Sequence, residues 1–224
     1  MRLLVAGSLG ETVDRVNEAF FFGRPPSVTE RREVARWIAE RRGGPKAYWG
    51  LFAPTKKDLE EGVKVFTGER YEYAAARHIL GEEACRALLL LDVEEPRVRE
   101  SLDKARTGIL RRIEPYATKS GIFCCGPCTV SVWRHVVAAG GRESSTWVTK
   151  WLRTLKAHRK DDGTWRRFPF HYTLLALSEM ESRAARDEMR HASAVCERYL
   201  SGPERKDKTS QRRRAVSEAI LEKR

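Results

Sequence analysis

Cys124-Cys125-Gly126-Pro127-Cys128 is the densest group of reactive side chains in the chain, and it opens an apolar segment. Pro127 suits the first position of a helix, which sets Cys128 and Cys125 near backbone N–H groups that lack helical partners. A helix start of this kind favours thiolate over thiol. Counting from Cys128, Val132, His135 and Ala139 recur on one helical face, so Cys128 and His135 can share a space two turns apart. Three chemistries fit these residues. Small cysteines can pack where helices meet closely. Cys125 and Cys128 can act as a reactive thiol or redox pair. Cys124, Cys125 and Cys128 can ligate a metal together with His135 or His171, although a second close cysteine pair that would complete a zinc site is missing. No metal or other cofactor is therefore expected.

Downstream, Asp161-Asp162-Gly163-Thr164-Trp165 has turn composition and leads into Phe168 to Leu177. Its aspartates read as turn residues, with acid catalysis or metal ligation as the other use of paired carboxylates. Trp165, Phe170 and Tyr172 can line an apolar pocket or seal a helical hairpin. His171 shares a face with Leu174, Leu175 and Ser178, where a histidine is a core residue or a catalytic one. Arg134, Arg166 and Arg167 are the cations nearest these groups in sequence. The candidate catalytic residues are Cys125, Cys128, His135 and His171. The candidate binding residues are Trp165, Phe170, Tyr172, Arg134, Arg166 and Arg167.

The elements that must position these groups read as helices almost throughout. Ser27-Val28-Thr29-Glu30 has capping-box spacing after Pro25-Pro26 and predicts a helix to about Arg42, stopped by Gly43-Gly44-Pro45. Thr55 caps a helix to about Phe66. Segments 69–80 and 82–91 read as a helix pair flanking Gly81, and 95–114 as a long polar helix. Further helices are expected over 129–139, from a cap at Ser144 or Ser145 to about His158, and over 168–180. Ala185, Met189, Ala192, Cys196 and Tyr199 recur at helical spacing, which makes Cys196 a packing residue, as Cys85 is beside Leu88 and Leu89. The one weak strand candidate is Arg2 to Ala6. Gly7-Ser8-Leu9-Gly10 is too short for a phosphate loop, and no strand–loop–helix context surrounds it.

The second half resembles a repeat of the α/α-toroid superfamily, to which terpenoid cyclases and protein prenyltransferases belong. The residues that carry the likeness are Trp147 to Trp151 and Leu155, then Asp161 to Trp165, then Phe168 to Leu177. In that superfamily a similar Asp-Gly-x-Trp turn joins the two helices of a hairpin. The chain lacks the glutamine usual in the cyclase repeat, the cyclases' Asp-x-Asp-Asp motif and the Asp-x-Cys pair of the zinc prenyltransferases. The resemblance thus implies a fold and not an activity. Cys125-Gly126-Pro127-Cys128 also resembles the thioredoxin redox tetrapeptide, but only Gly121-Ile122-Phe123 precedes it, where thioredoxins have a sheet strand.

The expected fold is all-α, with stacked antiparallel helix pairs in a partial or compact toroid-like array. Residues 1–115 form a helical part of the same or a separate domain, 116–202 the toroid-like hairpins, and 203–224 a basic tail adding little to the core. Hydrophobic residues make up 41% of the 224, enough for a core and too many for a disordered chain. The longest apolar run, Ala87 to Leu91, excludes a membrane-spanning helix. Five cysteines, an odd number with two adjacent, argue against a disulfide framework and for a reducing, cytoplasmic setting.

Net charge is +12, from 43 basic and 31 acidic residues. Most helices mix both signs, but 150–167 holds seven basic against two acidic residues, and 202–224 eight against four. Two functions follow. The first is a small-molecule or peptide-binding protein, an enzyme where the cysteines and histidines converge on an apolar pocket. The second is a helical module that presents basic faces to nucleic acid or an acidic protein.

Overall fold

The computed structural model describes residues 2–118 and 120–224, apart from the side chains of 117, 118 and 142–145. The protein is all-α. Its helices are α1 (Leu9–Phe21), α2 (Val28–Ala39), α3 (Lys56–Glu61), α4 (Tyr73–Leu91), α5 (Pro96–Thr118), α6 (Gly126–Ala139), α7 (Arg142–Ala157), α8 (Phe170–Ser178), α9 (Arg183–Ser201) and α10 (Lys208–Lys223). The one sheet among the described residues is an antiparallel pair, β1 (Val63–Lys64) and β2 (Arg70–Tyr71), with Val63 opposite Tyr71. None of the described helices is long and apolar enough to cross a membrane.

Two compact units divide the chain. The first comprises 1–65 and 70–115, the second 66–69 and 116–224. The boundary falls inside α5 at Pro115, whose missing N–H removes one rung of the helix ladder.

In the first unit α1 and α2 pack on α4, which is buried on nearly every side. Gly81 was expected to separate two helices but lies within α4. A Cβ there would sit 2.8 Å from Leu51 Cδ1, so this glycine serves close packing. The helix from Thr55 stops at Glu61, not Phe66, because Gly62 takes φ 73° and turns the chain into β1. Arg2 to Ala6 is no strand: the Leu3 and Val5 N–H groups donate to the Glu30 and Thr12 side chains. Helix α1 is not among the helices expected from the sequence. Its signal is Ser8, which accepts from the Glu11 N–H at 2.9 Å. The buried Asp58 carboxylate takes the anion position at this helix start, accepting from Ser8 Oγ (2.6 Å), Leu9 N–H (2.9 Å) and Gly10 N–H (3.1 Å).

In the second unit α6 packs on α7 and α8, α7 on α9, and α10 on both α8 and α9. Residues 203–224 are thus no loose tail. Val216, Ser217 and Ile220 are wholly buried, and arginines supply the anchors that the segment lacks in aliphatic residues. Arg212 is 6% exposed, lies 4.4 Å over the Phe66 ring and donates to the Phe66 carbonyl. Arg213 Nε donates to the Thr67 carbonyl at 2.7 Å. Helix α7 begins at Arg142 with Gly141 as its N-cap, while the caps expected at Ser144 or Ser145 concern side chains outside the described residues.

Candidate functional site

The thiol cluster sits where the chain turns into α6. Cys125 is the N-cap in extended conformation, and Pro127 occupies the first turn. The Cys125 N–H donates to the Phe123 carbonyl at 2.7 Å. Thr129 Oγ1 holds the turn from inside, accepting from the Phe123 N–H at 2.9 Å and lying 2.6 Å from the Cys125 carbonyl. Gly126 is buried because the backbone of Arg167 crosses directly over it: a Cβ would stand 1.7 Å from the Arg167 carbonyl oxygen. Cys124 and Arg167, the two residues flanking this contact in space, both have left-handed backbone, with φ 59° and 71°. Cys124 is exposed, Cys125 half-buried and Cys128 fully buried, and the Cys124 and Cys128 sulfurs lie within 4.8 Å of one another. All five cysteines are thiols.

Beyond its first turn α6 is enclosed. Cys128, Val132 and His135 do share a face, but every residue from Cys128 to Val136 is buried. Trp133 stacks at 5.4 Å on Phe168 and 6.2 Å on Trp151. Arg134, 2% exposed, grips Glu179 with Nη2 at 2.9 Å and Nε at 3.2 Å, and its guanidinium lies 5.7 Å over the Tyr172 ring. Arg134 and Tyr172 are therefore joined in one buried cluster.

The turn from α7 to α8 is a clamp onto α9. Arg159 and Trp165 form a β-bridge across it. Both donate to the buried Glu188 carboxylate: Arg159 from Nη2 at 2.8 Å and Nε at 3.0 Å, Trp165 from Nε1 at 2.9 Å. Gly163, at φ 85°, leaves room for the His191 carbonyl and Val195 side chain of α9. Asp162 accepts from the Thr164 N–H at 2.9 Å and pairs with Lys160. Those bonds, Lys160 first and Thr164 next, hold its carboxyl well below the usual carboxylate range. Asp162 is thereby a turn residue, and the Arg159–Glu188 lock is one that spacing alone gives no means of finding.

Trp165, Phe170, His171 and Tyr199 form a second aromatic string. Trp165 stacks on Phe170 at 5.8 Å, and His171 meets Tyr199 edge-on at 5.1 Å. The buried His171 Nε2 has no hydrogen-bond partner among the described residues. Burial, with a smaller contribution from the Arg213 cation, lowers its pKa from 6.5 to about 4. The ring is neutral in the folded state, so its contribution to stability is full above pH 6.5 and is lost as pH falls from 6.5 towards 4. The shift corresponds to about 1–3 kcal/mol. His171→Phe is accordingly expected to gain on the wild type by this amount between pH 7 and pH 4.5 in urea titrations. A difference that does not move with pH would refute it.

Burial also raises the other two thiols: Cys85 far above the ordinary cysteine range and Cys196 to about 11, making them inert packing residues.

The candidate residues thus fall in three places. Arg134, His135 and Tyr172 are buried, Arg134 paired with the half-buried Glu179; Trp165, Phe170 and His171 lie in the α7–α8 turn and the start of α8; Cys125 and Cys128 mark the start of α6. Arg166 and Arg167 are exposed beside that start, and the Arg166 N–H donates to the His158 carbonyl at the end of α7 at 2.8 Å. Arg153 and Lys156 are exposed on the last turns of α7. A cleft of about 590 Å³ lies elsewhere, in the first unit, between Arg36, Ala39 and the C-cap Glu40 of α2 and Glu95 to Val98 at the start of α5.

Fold and site define an all-α protein with a thiol-bearing, basic end to its second unit. No protein-family model, curated protein or solved structure matches the chain.

Proposed function

We propose that the chain is a helical interaction protein whose second unit binds nucleic acid through its phosphates. The observation that carries this reading is where the charge lies. The second unit holds 22 basic against 13 acidic residues, a net +9 of the total +12. Arg153, Lys156, Arg166 and Arg167 are exposed there around the end of α7, and none has an ion pair among the described residues. Cations left without acidic partners around one helix end suit a polyanion better than a packed interface. The full burial of Cys128 and His135 favours this reading over a cysteine–histidine pocket. The likeness of the Asp161–Trp165 hairpin to the α/α-toroid repeat belongs to the same proposal and bears on its helical scaffold.

The test is fluorescence anisotropy with a 20-base-pair duplex and a 20-nucleotide single strand over a range of salt. Each phosphate contact contributes a slope of about −0.9 in log K against log salt on duplex and about −0.7 on single strand. Replacing Arg153, Lys156, Arg166 and Arg167 together by Gln should weaken binding at every sequence and flatten the duplex slope by about 3.6. Unchanged binding or slope would overturn the proposal.

A further inference from the structure

The thiols at the start of α6 have a use that phosphate binding does not require. We propose that Cys124 and Cys128 form a bis-thiolate site for a soft monovalent metal ion, of which Cu(I) is the type. Their sulfurs lie within 4.8 Å of one another. A metal–thiolate bond is about 2.3 Å, so two sulfurs on opposite sides of one ion stand about 4.6 Å apart. Two thiolates complete the shell of a soft two-coordinate ion, whereas zinc requires four ligands.

Three features of the chain hold the pair in this arrangement. Gly126, pressed under the Arg167 carbonyl, fixes the path of the turn, and Thr129 Oγ1 ties Phe123 to Cys125. Cys124 adopts φ 59°, a region where glycine is the relaxed choice, yet the chain carries a thiol there. That conformation leaves Cys124 exposed, while Cys128 faces it from inside the first helical turn. An ion therefore reaches the buried sulfur through the exposed one. Uptake converts two thiols and Cu⁺ into an anionic bis-thiolate with release of two protons, with no change of oxidation state. The positive end of the α6 dipole and the basic neighbourhood of Arg166 and Arg167 stabilise that negative charge. Loss of two protons makes affinity rise with pH.

The experiment is anaerobic competition of the full chain with a chromophoric Cu(I) chelator, with Zn(II) run in parallel. The wild type should withhold about one Cu(I) per chain, more tightly at pH 8 than at pH 6. Cys124→Ser and Cys128→Ser should each weaken uptake at least tenfold, and Cys85→Ser and Cys196→Ser should leave it unchanged. Cys124 is exposed, so its variant reports on the site even where Cys128→Ser perturbs the fold. Three results would overturn the proposal: a wild type that competes no better than Cys124→Ser, uptake lost in Cys125→Ser but kept in Cys124→Ser, or retention of Zn(II) in place of Cu(I).

Discussion

Gly126→Ala is expected to lower the temperature at which the second unit unfolds by about 2–12 °C, towards the upper end because backbone must move. The added Cβ would lie 1.7 Å from the Arg167 carbonyl oxygen and 2.7 Å from its carbon. Backbone, unlike the end of a flexible side chain, cannot turn away. Either α6 shifts, taking the stacked Trp133 with it, or the 166–168 loop lifts and breaks the Arg166–His158 bond while exposing Phe168. Overpacking a dense interior costs about 1–3 kcal/mol, and more where backbone must move. A chain of this size loses about 2–4 °C for each 1 kcal/mol. Gly108→Ala is the control: it lies in α5 with nothing within 4 Å of an added Cβ, and should raise stability by up to about 1 kcal/mol. Calorimetry on both variants decides the matter. A Gly126→Ala protein that melts with the wild type would show that the turn is not held as described.

The same glycine shows what the sequence made legible and what it did not. Cys-Gly-Pro-Cys reads as a redox motif because spacing along the chain is visible, and the crossing of Arg167 over Gly126 is not. That contact joins residues 41 positions apart and leaves no local pattern. The all-α fold was legible because apolar periodicity and caps are local properties, as at Ser27 and Thr55. Gly81 misled for the converse reason. A glycine that ends a helix and one that admits Leu51 against a helix look alike until the neighbour is known.

For the candidate site, the start of α6 and the exposed Arg166 and Arg167 were legible, since Pro127 and the charge excess are compositional signals. The sequence pairs Cys125 with Cys128 by spacing, whereas the sulfur within 4.8 Å of Cys128 is that of Cys124, whose backbone is left-handed. Nothing in the residue type announces that conformation. Arg134 was placed among binding residues because it is a cation near aromatics. Its partner Glu179 lies 45 residues away, and only packing brings the two together.

Truncation after Gly202 is expected to abolish the cooperative folding of the second unit. Residues 203–224 look dispensable by composition, since 204–214 contains no aliphatic side chain larger than a methylene stem. In the structure α10 covers both α8 and α9, with Val216 and Ile220 wholly buried and Ser217 hydrogen-bonded to Cys196. It also ties down 66–69, with Arg212 over Phe66, Arg213 on Thr67 and Thr209 against Gly68. Removing α10 would expose the apolar faces of two helices at once. The truncated chain should bind a hydrophobic dye and lose the calorimetric transition of this unit. Ile220→Ala is the milder measure of the same contact, with an expected loss of about 2–5 kcal/mol, or roughly 4–20 °C. It leaves the charges of α10 intact, so its effect separates apolar docking from electrostatics. A truncated protein that melts within 2–3 °C of the full chain, on that scale a change of about 1 kcal/mol, would refute the docking of α10 and return the segment to the role of a solvated basic tail.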